Sequence, residues 1–438
     1  MVVEPDRVRF AEFSGMYDDI SVQAANGLIL FNEAGPWLDL EVRGKVLAHE
    51  VVKVMTSLSG GKPSSPYLSN VNVLEGMGDL RIHFAGLLEG GEGVVVADGE
   101  YNAQGVMLHV PEVDGPIVIN KGRILFSQYD LRFEDIIGNV GDSQFRVQGV
   151  VKPGVRVEID RINIHATLQH VFFNQVLSKS SSIPLAPLAS GEVTLQAELS
   201  GFLDSLKVSG ELDLLDSTIH IPGVVQKQSG VPGGLDFSVR LKTNGDMALD
   251  QVELAIRPIK LSVRGLMRVQ PTFEFLARIN SGPIYLGLLP EGVTIGDQIL
   301  RSGILEISMD VSGRGLELKN WRPRGWIALT EGVAKVNGLK SPIRNLFLRL
   351  KMTPSIAEIK RFEFKILKSD VQLNGTVKNW RGKPEIDLSL DSSSFDLGLL
   401  VPQAGGSSIR NILESLAGSS TLVGSIRIQD SEYKKIRT

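Results

Sequence analysis

The stretch LSVRGLM, residues 261–267, reads apolar, polar, apolar, polar, glycine, any residue, apolar. The chain writes the same phrase as LEVRGKV (40–46), FRVQGVV (145–151) and VQLNGTV (371–377). The four glycines, Gly44, Gly149, Gly265 and Gly375, are 105, 116 and 110 residues apart. Two further markers keep step with them. Gly78, Gly191, Gly303 and Gly418 each open a strand-like stretch and are 113, 112 and 115 apart. Gly99, Gly210 and Gly325 are 111 and 115 apart. Agreement among three markers predicts an internal repeat of about 110 residues. The expected segments are a partial first repeat over 1–77, repeats over 78–190, 191–302 and 303–417, and the start of another over 418–438.

Inside each period the alternation is that of a strand with one buried face. In GEVTLQAEL, Val193, Leu195, Ala197 and Leu199 oppose Glu192, Thr194, Gln196 and Glu198. Leu305, Ile307, Met309 and Val311 oppose Glu306, Ser308 and Asp310, and Ile386, Leu388 and Leu390 oppose Asp387, Ser389 and Asp391. Clusters such as KTNGDM and VPGG break these runs as hairpin turns do. Short helix-like or turn segments are expected at 46–55, 170–177, 284–290 and 395–402. The predicted class is mostly β. Repeated antiparallel meanders would form an elongated, curled, solenoid-like groove, taco-shaped in section, with short helices between units. A glycine inside a strand loses packing, so its recurrence calls for a geometric reason: a bulge, a sharp coil or close backbone approach. Gly44, Gly149, Gly265 and Gly375 are therefore read as bends.

Composition narrows the function. The 438 residues carry a net charge of −4 with acids and bases mixed, which gives no footprint for nucleic acid. No cysteine is present, so disulfides, thiolate metal sites and a cysteine nucleophile are excluded. No apolar run approaches the roughly 20 residues of a membrane-spanning helix. No nucleophile elbow, phosphate-binding glycine loop or dinucleotide fingerprint occurs, and SGGKPSS (59–65) reads as a loop. The six histidines lack metal-ligand spacing, and none is expected beside a cluster of acids. His83 and His109 are read as strand-surface residues, and the chain as no enzyme, with neither cofactor nor metal. Trp321 and Trp326 are expected to bracket a bend at RPRG, and Trp380 to lie in a turn, as caps on turns and sheet edges.

The apolar faces remain to be covered. A continuous aliphatic trough would shield a lipid, whose sixteen-carbon chain costs on the order of 12 kcal/mol to expose to water. Some 28 strands at 4.8 Å spacing could extend about 130 Å. The expected contact positions are Val193, Leu195, Leu199, Leu305, Ile307, Met309, Val311, Val371, Leu373, Ile386, Leu388 and Leu390.

The strand-glycine phrases, the segments LGLLP (286–290) and LGLLVP (397–402), and DGPIVINKGRILF (114–126) resemble the AsmA-like family of Gram-negative envelope proteins. The likeness is greatest to its large YhdP-type members and looser to the TamB type. It implies a groove lined with aliphatic side chains, phospholipid as partner, and a periplasmic location tethered to the inner membrane by a helix that this sequence does not contain. It further implies contact with the inner and outer membranes or their proteins through further segments, and a monomer. The ending SEYKKIRT, inside a unit, leads to the expectation of a piece of a longer member. The competing expectation is an array of closed β-sandwiches, joined by linkers such as SKSSSIPLAPLASG (178–191), that serves as an assembly scaffold or adhesin.

Overall fold

The structure, a computed structural model, describes residues 1–17, 20–33, 35–51, 72–88, 94–110, 115–127, 129–152, 156–168, 189–221, 225–268, 273–295, 300–315, 320–335, 341–367, 369–380, 384–396 and 419–428. These residues form 28 strands, most of them in one long antiparallel sheet that does not close on itself. The turns follow the sequence chemistry. Gly141 and Asp142 join the partners Val140 and Ser143, with Gly141 at φ 56°, the left-handed geometry that a tight hairpin requires.

Helix is nearly absent among the described residues. Of the expected helical segments, 46–55 continues as strand to Leu47 and is helical over 48–51, while its residues 52–55 lie outside the described residues. The segment 284–290 is a two-residue strand followed by the 3-10 turn Leu286–Leu288. Gly287 at its centre and Pro290 behind it leave no room for a second turn. The segments 170–177 and 397–402, the loop 59–65 and residues 178–188 of the expected linker lie outside the described residues.

The chain divides into two compact units. The first comprises Met1–Ser181, Glu192–Leu212 and Ser238–Asn244. Its strands pair successively from Arg7–Tyr17 to Val193–Phe202. Val46, Leu80, Ile82, Tyr101 and Phe126 are buried on one face, where Ala48 and Val51 of the helical turn pack against them.

The second unit comprises Ser182–Gly191, Asp213–Phe237 and Gly245–Thr438. Its strands pair successively from Asp246–Ile256 to Ser419–Ile428. Four short strands, Ala189–Gly191, Ser217–Ile221, Val225–Lys227 and Val293–Ile295, form a small second sheet. Around it Val231, Ile284, Leu286 and Val293 are buried in one cluster with Ile256, Ile259, Leu305, Leu329 and Leu346 of the long sheet. Lys227 is fully buried here, and its Nζ donates to the carbonyl oxygens of Leu214, Ser217 (2.7 Å) and Gln228 (3.3 Å). A buried ammonium thus ties the strand Val225–Lys227 to the turn through which the chain passes from the long sheet's strand Ser205–Asp213 into the small sheet's strand Ser217–Ile221. Burial pushes its pKa below the ordinary lysine value, with Asp216 and Asp213 pulling the other way.

Candidate functional site

Directly paired residues of an antiparallel sheet share a face, so register alone assembles the apolar side. In the second unit Val263 pairs with Ile279, Ile279 with Met309, and Met309 with Gly325. The neighbouring row runs Ile307–Ile327–Leu350–Ile359–Gly375–Leu388. The next runs Leu305–Leu329–Leu348–Phe362–Leu373–Leu390. Val311 extends this side opposite Ala277, Val371 opposite Phe364, and Ile386 opposite Val377. Nine of the twelve expected contact positions therefore stand on one apolar face, aliphatic apart from Phe362 and Phe364 and the buried serines Ser369 and Ser392. Leu305, Val311 and Val371 are buried, the first beneath the small sheet's cluster. Ile307, Met309, Leu373, Ile386, Leu388 and Leu390 are half-buried.

The other three, Val193, Leu195 and Leu199, lie in the first unit. Leu195 pairs with Ala166 and Leu199 with Ile162, and Val193 shares their side by alternation. Val193 is buried, and Leu195 and Leu199 are half-buried.

The four repeated glycines share one local geometry. Each pairs, on the preceding strand, with the residue at the edge of a register shift: Gly44 with Val22, Gly149 with Phe133, Gly265 with Leu249 and Gly375 with Ile359. In each case the preceding strand carries one extra residue, the definition of a β-bulge, which bends a strand and increases its twist. On their other side Gly149, Gly265 and Gly375 press against the backbone of the following strand. A Cβ there would strike the carbonyl oxygens of Arg161, Leu276 and Asp387. Gly44 makes the same approach to Ser21 on its preceding strand.

The opposite side carries ion ladders. In the first unit Glu41 lies between Arg43 (2.7 Å) and Arg81 (2.8 Å), and Arg123 joins Glu100 (2.8 Å) to Glu134 (3.3 Å). Arg81 foremost, with Arg43, holds the Glu41 carboxyl below the usual range, and Arg123 foremost, with Asn102, does so for Glu100. His83 corrects the expectation of a histidine apart from acids. Its Nε2 lies 3.2 Å from Asp39 and its Nδ1 3.2 Å from Asp98, across three strands. Burial opposes protonation of His83, but the two hydrogen-bonded carboxylates outweigh it and raise the pKa. The acids lie 44 and 15 residues away in sequence, so no local pattern announces them. The described residues hold no group of His, Asp and Glu fit for a metal ion.

The tryptophans divide. Trp321 packs edge-on against Phe275, with ring centroids 5.3 Å apart, and its Nε1 donates to Gly315 O at 3.3 Å. Trp380 donates to Thr353 O at 3.3 Å. These two are the expected turn caps. Trp326 is not: RPRG lies within the continuous strand Arg322–Ala334, and Trp326 stands mid-strand between Ser308 and Lys351. Pro323, near the start of that strand, imitates a turn in sequence without making one.

The apolar side of the first unit also holds a buried phenol. Tyr101 is buried, its hydroxyl has no hydrogen-bond partner, and its ring lies over Gly78. Burial, with Asp79 adding to it, pushes its pKa up to about 12. Compared with protein-family models, curated proteins and solved structures, the chain matches none.

Proposed function

We propose that this is a non-enzymatic lipid-binding protein of the bridge-like kind, in the periplasm of a two-membrane envelope. Its aliphatic sheet face would shield phospholipid acyl chains during transfer between inner and outer membranes. The observation that carries the reading is the half-buried aliphatic row from Ile307 to Leu388, which continues strand after strand without a polar residue. Such a face is costly beside water and inexpensive beside acyl chains. Its contacts are shape-tolerant and apolar, so they select hydrocarbon rather than a particular headgroup. No helix among the described residues is long and apolar enough to cross a membrane, so tethering to the inner membrane belongs to this reading only through other segments.

A second reading, closed two-layer units serving as a scaffold, draws on the small sheet that covers Leu305 and Leu329. Native mass spectrometry with lipid extraction, on the chain purified without detergent, separates the two. Several phospholipids retained per chain support the lipid-bearing face. A lipid-free chain that also ignores fluorescent lipid supports the closed units.

A further inference from the structure

The water-facing side of the second unit is not uniformly polar. Leu266 and Leu276 are direct cross-strand partners on it, and are 60% and 54% exposed. Trp326, 40% exposed, stands on the same side, reached through the pairs Leu276–Ser312 and Ser312–Arg322. Single exposed apolar residues are ordinary on a protein surface. These three are distinguished by their neighbours. Arg264 shares the face two residues from Leu266, Arg324 two residues from Trp326, and Lys351 is Trp326's direct partner. None of these three cations makes a hydrogen bond or an ion pair within 4 Å among the described residues. The acids that face them, Asp310 opposite Arg324, Glu358 opposite Lys351 and Glu253 near Arg264, are each bound by another cation, Arg278, Lys360 and Lys260. Neighbouring cations are paired: Arg278 binds Asp310 at 2.7 Å, Arg268 binds Asp246 at 2.8 Å and Arg314 binds Glu274 at 2.7 Å. Arg264 also sits directly opposite Arg278, a like-charge pairing from which the fold gains nothing.

We infer that this side of the second unit docks on a bilayer surface bearing acidic headgroups, with Trp326, Leu266 and Leu276 entering the headgroup layer and Arg264, Arg324 and Lys351 binding lipid phosphates. The chemistry is complementary in each part. A guanidinium grips phosphate with two parallel hydrogen bonds, an indole favours the interfacial layer, and basic residues are drawn to an anionic leaflet. Arg322 and Arg349 widen the basic ground on the same face. A folded protein partner fits less well, because its affinity concentrates in a contiguous desolvated centre. Here the Arg278–Asp310 ion pair separates the leucines from the tryptophan and would have to be stripped of water. A headgroup layer leaves that pair hydrated. The surface lies opposite the aliphatic face, so it stands whether or not that face carries lipid.

The test is flotation of the full chain with vesicles of phosphatidylcholine, alone or mixed with phosphatidylglycerol. The chain is expected to float with the mixed vesicles, release with added salt, and ignore phosphatidylcholine alone. Arg324→Glu with Lys351→Glu, and separately Trp326→Ala with Leu266→Ser, should each weaken binding about tenfold or more. All four positions are solvent-facing, so strand content by circular dichroism should not change. Leu373→Asp with Leu390→Asp, on the other face, should float as the wild type does. The inference is overturned by a wild type that ignores mixed vesicles or floats equally with phosphatidylcholine. It is equally overturned if the surface variants float normally while the Leu373/Leu390 variant does not, since lipid would then be engaging the aliphatic face alone.

Discussion

Gly375 pairs with Leu388 so closely that any side chain on the glycine would run into the carbonyl oxygen of Asp387. Its φ of 145° adds a conformation that other residues avoid. Gly375→Ala should therefore cost about 2–3 kcal/mol of stability. Urea unfolding measures this, with Thr376→Ala as the neighbouring control. A loss within about 0.5 kcal/mol, the range of an ordinary surface change, would show that the neighbouring strand yields instead.

Leu373 and Leu390 are direct partners on the aliphatic face, and both are half-buried. Placing aspartate at both should reduce retained phospholipid to background in native mass spectrometry. Leu373→Ser with Leu390→Ser, which removes bulk without adding charge, should keep part of the load. Full retention by the aspartate pair would sink the lipid-bearing role of this face.

His83 gives a pH signature. Its folded-state pKa is raised, so the clasp between Asp39 and Asp98 contributes fully below the ordinary histidine pKa of about 6.5. The contribution fades as pH rises through the folded-state value. Wild type should melt above His83→Gln in mildly acidic buffer and converge with it in mildly alkaline buffer. The gap should stay under about 1 kcal/mol, because both aspartates are more than half exposed. A gap that grows with pH would contradict the geometry.

Lys227→Met keeps the stem of the side chain but strips the carbonyls of Leu214 and Ser217 of their donor. The expected loss is about 2 kcal/mol or more, since unpaired buried carbonyls carry their full desolvation penalty. Hydrogen exchange should localise it to the small sheet and leave the strands beyond Ile356 protected. Uniform loosening of the whole second unit would mean that the small sheet supports the long one throughout.

What could be read in the sequence was what repeats every two residues. Leu305, Ile307 and Met309 reveal a shared face by alternation alone, and the partner strands inherit it through register. The bulges beside the glycines were partly legible, because glycine in a strand is costly enough to need a reason. The small sheet was not. Its strands are three to five residues long, too short for a period, and they come from segments far apart in the chain. His83 and Trp326 were misread for two different reasons. The acids of His83 are gathered by long-range pairing, and the proline beside Trp326 carried a turn signal that the strand overrode.

A long meander of similar hairpins is open to an error of assembly. A strand that joins two residues out of step still presents its apolar side correctly, because the side-chain period is two. At Gly265 and Gly375 that slipped pairing would set Met267 or Val263, and Leu373 or Val377, against a carbonyl approach that only glycine admits. The glycines thus act as proofreading marks, rejecting a misaligned strand as it adds, so that one alignment propagates from each strand to the next.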